Sequence, residues 1–219
     1  TARVIAIGGS NGKTTTKRML HCVLSEKFRG HASPKSFNNN IGMPLTLLEV
    51  EPEHDYVVLE IGTNAPGEIA ALGAVCRPDD AAITSIGREH LELLGDIAGV
   101  AWEEAAIAEF VRPGGMLVVP ENQPELAAAL RGANIWRRTS GATGSGADLT
   151  PVDVRSNASG STFSINGSGS FQLPLLGRHN VLNALCAVAL ARHMGLSDEH
   201  IAAGLAKVEP APLRLELRQ

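Results

Sequence analysis

The chain has 219 residues, a formal net charge of −4 and 44% hydrophobic residues. This length suits one large domain with a substantial core, and it excludes three domains. The acidic balance excludes a broad positive field for phosphate backbones, so we predict no nucleic-acid partner. We find no signal peptide and no apolar run of membrane-spanning length, so we predict a cytoplasmic protein without a membrane span. Three isolated cysteines, Cys22, Cys76 and Cys186, are expected to be buried free thiols.

The first predicted element is a buried strand at residues 4–7, which runs directly into a glycine turn and a helix at 13–24. The turn consists of Gly9, Ser10, Asn11, Gly12, Lys13, Thr14 and Thr15. Backbone N–H groups of such a turn, together with the helix N-terminus, can hold phosphate oxygens, with Lys13 reaching the terminal phosphates and Thr14 ligating Mg²⁺. The strict phosphate-loop pattern has glycine at position 7, where this chain has Ile7, so the motif is a shortened variant. An ordinary strand-to-helix turn is the alternative.

Apolar strand-like runs alternate with helical patterns along the first 140 residues. The predicted strands are 4–7, 56–61, 81–86, 116–119 and, more weakly, 133–136; the predicted helices are 13–24, 67–75, 97–110 and 124–130. Strands that are apolar on both faces and alternate with helices indicate a parallel sheet covered on both sides. The predicted fold class is therefore α/β, with a doubly wound, mainly parallel sheet.

The pattern changes after a glycine-serine stretch at 140–146. Short alternating runs at 149–155, 161–165 and 171–175, separated by turn residues, predict a small antiparallel sheet spanning about 148–176. Two helices follow, one at 180–193 and one that begins at Ser197, which is a candidate N-cap. We expect residues 1–219 to form one domain with this small sheet as a sub-structure.

Polar residues follow the strands where ligands bind in doubly wound folds. Glu60 ends a buried strand, and a carboxylate there is costly unless it is paired or binds a metal, so we predict a Mg²⁺ ligand with helix capping as the alternative. His90 lies just past the 81–86 strand and is a second candidate, with a purely structural histidine as the alternative. Asn39 and Asn40, in a run of three asparagines, could bind polar substrate groups or simply form a loop and helix cap.

Taken in order, these motifs resemble the central ATPase domain of the Mur ligases, the ATP-dependent amide-forming enzymes of peptidoglycan assembly. Residues 9–15 match the family's short phosphate loop, Glu60 and His90 match its strand-end metal ligands, and residues 177–184 match its G-x-H-N-x-x-N-A helix start. The resemblance implies that Asn180 and Asn183 lie near the adenine and that Arg214 approaches the nucleotide phosphates. It also implies a metal set of Thr14, Glu60 and His90.

Within the family, residues 36–48 and 62–69 are most similar to the branch that joins D-alanyl-D-alanine to UDP-N-acetylmuramoyl-tripeptide. The resemblance implies ATP and Mg²⁺ as cofactors, and an acyl phosphate that the amine attacks. It also implies that the family's N-terminal UDP-binding domain and C-terminal domain are absent from this chain, so the isolated fragment is expected to be inactive. A monomer is expected.

One position departs from the family. Mur ligases commonly carry a lysine on the helix after the His90 motif, and its carbamate helps to organise a second metal. Aligning residues 101–107 with that helix places Glu104 at the lysine position, with Lys13, Glu60, His90 and Glu104 as the implied catalytic group. We expect Glu104 to supply a carboxylate directly; the alternative is a solvated helix residue and an alignment shifted by one, with Glu103 as the decoy.

Other functions remain open at this stage. A sister Mur ligase or folylpolyglutamate synthetase shares the loop and the sheet. A nucleotide-binding module without ligase activity would bind ATP without producing ADP. A purely structural α/β domain would leave the polar residues at four places unexplained: the glycine turn, Glu60, His90 and the asparagine run.

Overall fold

The computed structural model describes residues 1–142 and 146–209 of the chain. Its main sheet contains β1 (Arg3–Gly8), β2 (Gly30–Ala32), β3 (Tyr56–Glu60), β4 (Asp80–Ile83), β5 (Met116–Pro120) and β6 (Trp136–Ser140). The strands are ordered β2-β3-β1-β4-β5-β6, and every neighbouring pair is parallel. The predicted doubly wound parallel sheet is therefore confirmed.

Helices cover both faces of this sheet. They are α1 (Lys13–Leu24), α2 (Gly42–Leu48), α3 (Glu68–Cys76), α4 (Leu91–Leu94), α5 (Ile97–Ala105), α6 (Pro124–Ala129), α7 (Arg178–His193) and α8 (Asp198–Ala206). Alternate residues of β1 enter two separate cores: Ile5 and Ile7 pack with α1, α7 and α8, whereas Ala6 packs with α3, α5 and α6. This burial on both faces explains why the sequences of the strands are continuous apolar runs.

The second sheet consists of β7 (Pro151–Asn157), β8 (Gly160–Ile165) and β9 (Ser168–Leu173), paired antiparallel in that order. Phe163 and Phe171 stack with ring centroids 5.6 Å apart and join the core formed with α1 and α7. The predicted small antiparallel sheet is confirmed, and it packs as part of the same body as the main sheet.

Four details differ from the expectations. Strand β2 has only three residues and no apolar run, and β6 begins three residues later than the weak 133–136 run suggested. Ser197 precedes α8, but its hydroxyl pairs with His200 Nδ1 at 3.0 Å and makes no side-chain cap bond. All three cysteines are free, but Cys22 is only partly buried, packed against the core that contains α1 and α7.

Residues 143–145, in the predicted glycine-serine stretch, and residues 210–219 lie outside the described residues. Among the residues that the structure does describe, no helix is both long and apolar enough to cross a bilayer.

Candidate nucleotide and acceptor site

The turn between β1 and α1 has the backbone shape of a phosphate loop. Gly9 and Gly12 have φ angles of 107° and 93°, which side chains other than glycine rarely adopt. A Cβ on Gly9 would also lie 2.5 Å from Thr84 Oγ1, and one on Gly12 would collide with the side-chain oxygen of Asn183. Both glycines are therefore required by conformation and by close packing.

The segment that follows β4 braces this loop. Thr84 Oγ1 lies 2.6 Å from the carbonyl oxygen of Asn11, and Ser10 N donates to Ser85 O at 2.7 Å. Gly87 N donates to Ser10 Oγ at 2.8 Å. A further bond from Asn11 N to Ser85 Oγ at 3.1 Å means that this segment occupies the N–H groups of both Ser10 and Asn11, so the start of α1 is the part that can offer N–H groups to a ligand.

No side chain in the described part of the chain caps the N-terminus of α1. The first-turn N–H groups of a helix lack partners within the helix, and they carry partial positive charge. Lys13, the first helical residue, folds back so that its ammonium donates to Gly9 O at 2.5 Å. The start of α1 thus combines uncapped N–H groups with one lysine that can exchange its carbonyl partner for a phosphate oxygen.

Glu104 on α5 contacts this loop through its side chain. Its side chain is fully buried, Oε2 accepts a hydrogen bond from Gly9 N at 2.8 Å, and Oε1 is buried without a hydrogen-bond partner. Burial raises the pKa of Glu104 to about 7, against the opposing attraction of Lys13. A buried carboxylate oxygen beside a phosphate loop can accept a hydrogen bond from a proton donor or ligate a cation.

The neighbouring Glu103 has a different role. Its carboxylate accepts from Gly67 N and from Ile69 N, both at 2.8 Å, and so caps the start of α3. Of the two adjacent glutamates, Glu104 is therefore the one that faces the phosphate loop.

Glu60 lies at the end of β3, as expected, but it is paired with a residue that the sequence analysis missed. Lys17 Nζ donates to Glu60 Oε2 at 3.0 Å, and Asn38 Nδ2 donates to Glu60 Oε1 at 3.2 Å. Both charged side chains are almost completely buried. Burial lowers the pKa of Lys17, while the charge of Glu60 opposes that shift. The sequence signal for Lys17 was weak, because it stands between Thr16 and Arg18 and only its spacing of one helical turn from Lys13 connects it with the loop.

His90 is exposed at the start of α4, where its φ of 50° places it in the left-handed region. It lines a cavity of about 470 Å³ together with Asn64 and residues 88–93. The pKa of Glu68 is lowered mainly by the hydrogen bond from Asn64 N, another residue of this cavity. His90 is thus at the rim of an open cleft.

Some of the asparagine side chains are used in hydrogen bonds within the fold, and others are exposed or border the phosphate loop. Asn39 Oδ1 accepts from Gly42 N at 2.8 Å and so supports the start of α2, whereas Asn40 is exposed. Asn180 Nδ2 donates to Leu176 O at 2.8 Å, and Asn183 lies against Gly12. Asn183 therefore borders the phosphate loop, while Arg214 lies outside the described residues.

The donor set suits Mg²⁺ in part. Among the described residues, no three His, Cys, Asp or Glu side chains form a metal-binding group. Mg²⁺ nevertheless commonly takes one or two carboxylates and completes its shell with phosphate and water oxygens. The unpartnered Glu104 Oε1, the Thr14 hydroxyl and the Glu60 carboxylate are hard oxygen ligands of this kind.

The parallel sheet, the glycine loop and the uncapped helix together define a phosphate-loop α/β domain. The chain belongs to the Mur ligase family: the model of the Mur ligase middle domain matches residues 7–191.

The relatives point to one branch of this family. The chain is 39% identical over 216 residues to UDP-N-acetylmuramoyl-tripeptide--D-alanyl-D-alanine ligase of Bacillus subtilis, covering 98% of this chain and 46% of the relative. It is 36% identical over 220 residues to the Escherichia coli ligase of the same name, covering 98% of this chain and 48% of the relative. The chain thus spans about half the length of the curated relatives it matches.

A solved structure is similar over the whole chain. A crystal structure of MurF from Acinetobacter baumannii superposes with a TM-score of 0.93 at 34% identity, covering 100% of this chain and 48% of that one. The fold and the family placement therefore agree.

Proposed function

We propose that this chain is the nucleotide-binding part of a ligase that joins D-alanyl-D-alanine to UDP-N-acetylmuramoyl-tripeptide at the expense of ATP. The observation that carries the proposal is the phosphate loop with its uncapped helix and folded-back Lys13, in a chain whose curated relatives bear that ligase name.

The proposed reaction has two steps. The γ-phosphoryl group passes from ATP to a carboxylate oxygen of the tripeptide, which releases ADP and leaves an acyl phosphate. The amine of D-alanyl-D-alanine then attacks the acyl carbon, the carbon–oxygen bond to phosphate breaks, and the nitrogen loses a proton as the amide forms. Positioning and charge neutralisation supply most of the catalysis in such a transfer.

The residues of this chain would divide the work. The N–H groups at the start of α1 hold phosphate oxygens, and Lys13 leaves Gly9 O to contact the terminal phosphates. Asn180 and Asn183 would lie near the base, and Asn39 and Asn40 near the acceptor. His90, at the rim of the cleft, would lie on the acceptor side of the transferred group.

Thr14, Glu60 and His90 are the proposed holders of Mg²⁺, with Glu104 offering a further carboxylate oxygen. When bound, Mg²⁺ would neutralise charge on the transferred phosphoryl group.

The test is product formation by the complete gene product. ADP release over many turnovers should require ATP, UDP-N-acetylmuramoyl-tripeptide and D-alanyl-D-alanine together, because without the dipeptide the acyl phosphate is not consumed, and mass spectrometry should show the pentapeptide product. ADP release with a single amino acid in place of the dipeptide would instead indicate a sister ligase. ATP binding without ADP release would indicate a non-catalytic module. We expect no product from the 219-residue chain alone.

A further inference from the structure

A buried lysine connects the phosphate-loop helix to the asparagine segment. Lys17 lies on α1 and is 2% exposed. Its ammonium donates to the carbonyl oxygen of Lys35 and, at 3.0 Å, to Glu60 Oε2. The pair therefore joins three parts of the chain: α1, the end of β3, and the segment that starts at residue 35.

Asn38 makes two further hydrogen bonds that hold the same segment. Its side-chain amide donates to Glu60 Oε1 at 3.2 Å, and its carbonyl oxygen accepts from Gly62 N at 2.9 Å. Asn39 and Asn40 follow directly, and Asn39 supports the start of α2. The position of residues 38–40 relative to the phosphate loop therefore depends on contacts made by Lys17 and Glu60.

Stability alone is a weak explanation for such a pair. Taking two charges out of water costs several kcal/mol per ion in general, and apolar residues of similar volume often stabilise a fold as well or better. Lys17 carries a further bond to a backbone carbonyl outside the sheet, which an apolar residue could not make.

We propose that Lys17 is a positioning residue that sets the asparagine segment at a fixed place relative to the phosphate loop, so that the bound acceptor carboxylate meets the nucleotide. The inference rests on the proposed function, because it takes residues 38–40 to contact the muramoyl acceptor. Lys17 acts through Glu60 and Lys35 O, and it does not itself touch the reacting atoms.

The test compares Lys17→Met with Arg18→Met in the complete gene product. Arg18 is the next residue on α1, so its replacement removes the same charge without the contact to Glu60. Calorimetry measures UDP-N-acetylmuramoyl-tripeptide binding and, in EDTA, ADP binding. Hydrogen exchange follows the amides of residues 36–42, with α7 as the internal reference.

For Lys17→Met we expect acceptor binding at least tenfold weaker, exchange in residues 36–42 at least tenfold faster, and ADP binding within threefold of wild type. Arg18→Met should leave all three near wild type. The same set is measured for Lys17→Gln, whose neutral amide keeps a donor for Glu60, so that misfolding of Lys17→Met leaves the test intact.

Unchanged exchange in both Lys17 variants would overturn the proposal, and so would equal weakening of acceptor and ADP binding, which indicates a general structural role. If the wild-type protein binds ADP but not the muramoyl acceptor, the proposed function fails instead, and the exchange measurement still decides whether Lys17 holds the segment.

Discussion

The side chain of Glu104 accepts a hydrogen bond from the backbone N–H of Gly9 at 2.8 Å, which places a buried carboxyl group against the phosphate loop. The two residues are 95 positions apart in sequence, and α5 brings them together. This contact gives Glu104 a place in the site, and it also makes the loop sensitive to the charge of Glu104.

The first prediction concerns stability and pH. Glu104 has a pKa near 4.5 when exposed and about 7 in the folded chain. Between these values the folded state holds a proton that the unfolded state has lost, so stability should fall as the pH rises from about 4.5 to 7. A shift of this size corresponds to roughly 3 kcal/mol above pH 7.

Urea unfolding of wild type and Glu104→Gln at pH 5, 6, 7 and 8 checks this prediction. His21 acts in the opposite direction, because burial lowers its pKa, so the difference between the two proteins isolates Glu104. The free-energy difference should shift in favour of Glu104→Gln as the pH rises. A difference independent of pH would contradict the expectation.

The second prediction concerns Lys13. This chain should bind Mg²⁺-ATP weakly, and Lys13→Ala should weaken that binding at least about 100-fold, or roughly 2.7 kcal/mol, since one lysine supplies most of the local charge. Titration calorimetry measures both affinities. Lys207→Ala is the matched control, because Lys207 pairs with Glu26 on the surface at 2.7 Å. Equal affinity in wild type and Lys13→Ala would show that the loop does not hold phosphate.

The third prediction compares two glycine substitutions, one that strains only the backbone and one that also removes space for a neighbouring side chain. Gly12 and Gly67 both precede helices with positive φ, but only a Cβ at Gly12 would collide with Asn183. Gly67→Ala should cost about 1 kcal/mol of stability. Gly12→Ala should cost more, and it alone should weaken ATP binding at least tenfold. Similar ATP affinity in the two variants would count against a close fit between Asn183 and the loop.

The fourth prediction tests whether Glu104 replaces the family's carbamylated lysine. Ligation by the complete gene product should be insensitive to removal of bicarbonate, and Glu104→Ala should lower kcat more than tenfold, or about 1.4 kcal/mol. Glu104→Lys is the informative control, because it restores the lysine, and its activity should then depend on bicarbonate. Loss of wild-type activity in CO₂-depleted buffer, or normal turnover in Glu104→Ala, would refute this role.

Local sequence patterns predicted the parts of this structure that local forces determine. Residues 4–15 combine an apolar strand with a glycine turn, so both β1 and the loop could be predicted from the sequence. Strand β2 has three residues and no apolar pattern, because its place at the sheet edge comes from pairing with β3.

The candidate site was predicted less completely than the fold. Glu60 was expected to lie at a strand end, but its partner Lys17 is 43 positions away, and only the packing of α1 on β3 joins them. For Asn39 the sequence left both a substrate contact and a helix cap open, and the structure shows the capping bond from Gly42 N. Its role toward a substrate stays a prediction, as do those of His90 and Arg214.

The central claim is that this site forms an acyl phosphate, and oxygen transfer tests it most directly. UDP-N-acetylmuramoyl-tripeptide labelled with ¹⁸O in the reacting carboxylate is incubated with ATP, D-alanyl-D-alanine and the complete gene product. Mass spectrometry of the released phosphate should show one ¹⁸O atom for each amide bond formed, because that oxygen leaves with the phosphoryl group. Amide formation with unlabelled phosphate would contradict the account.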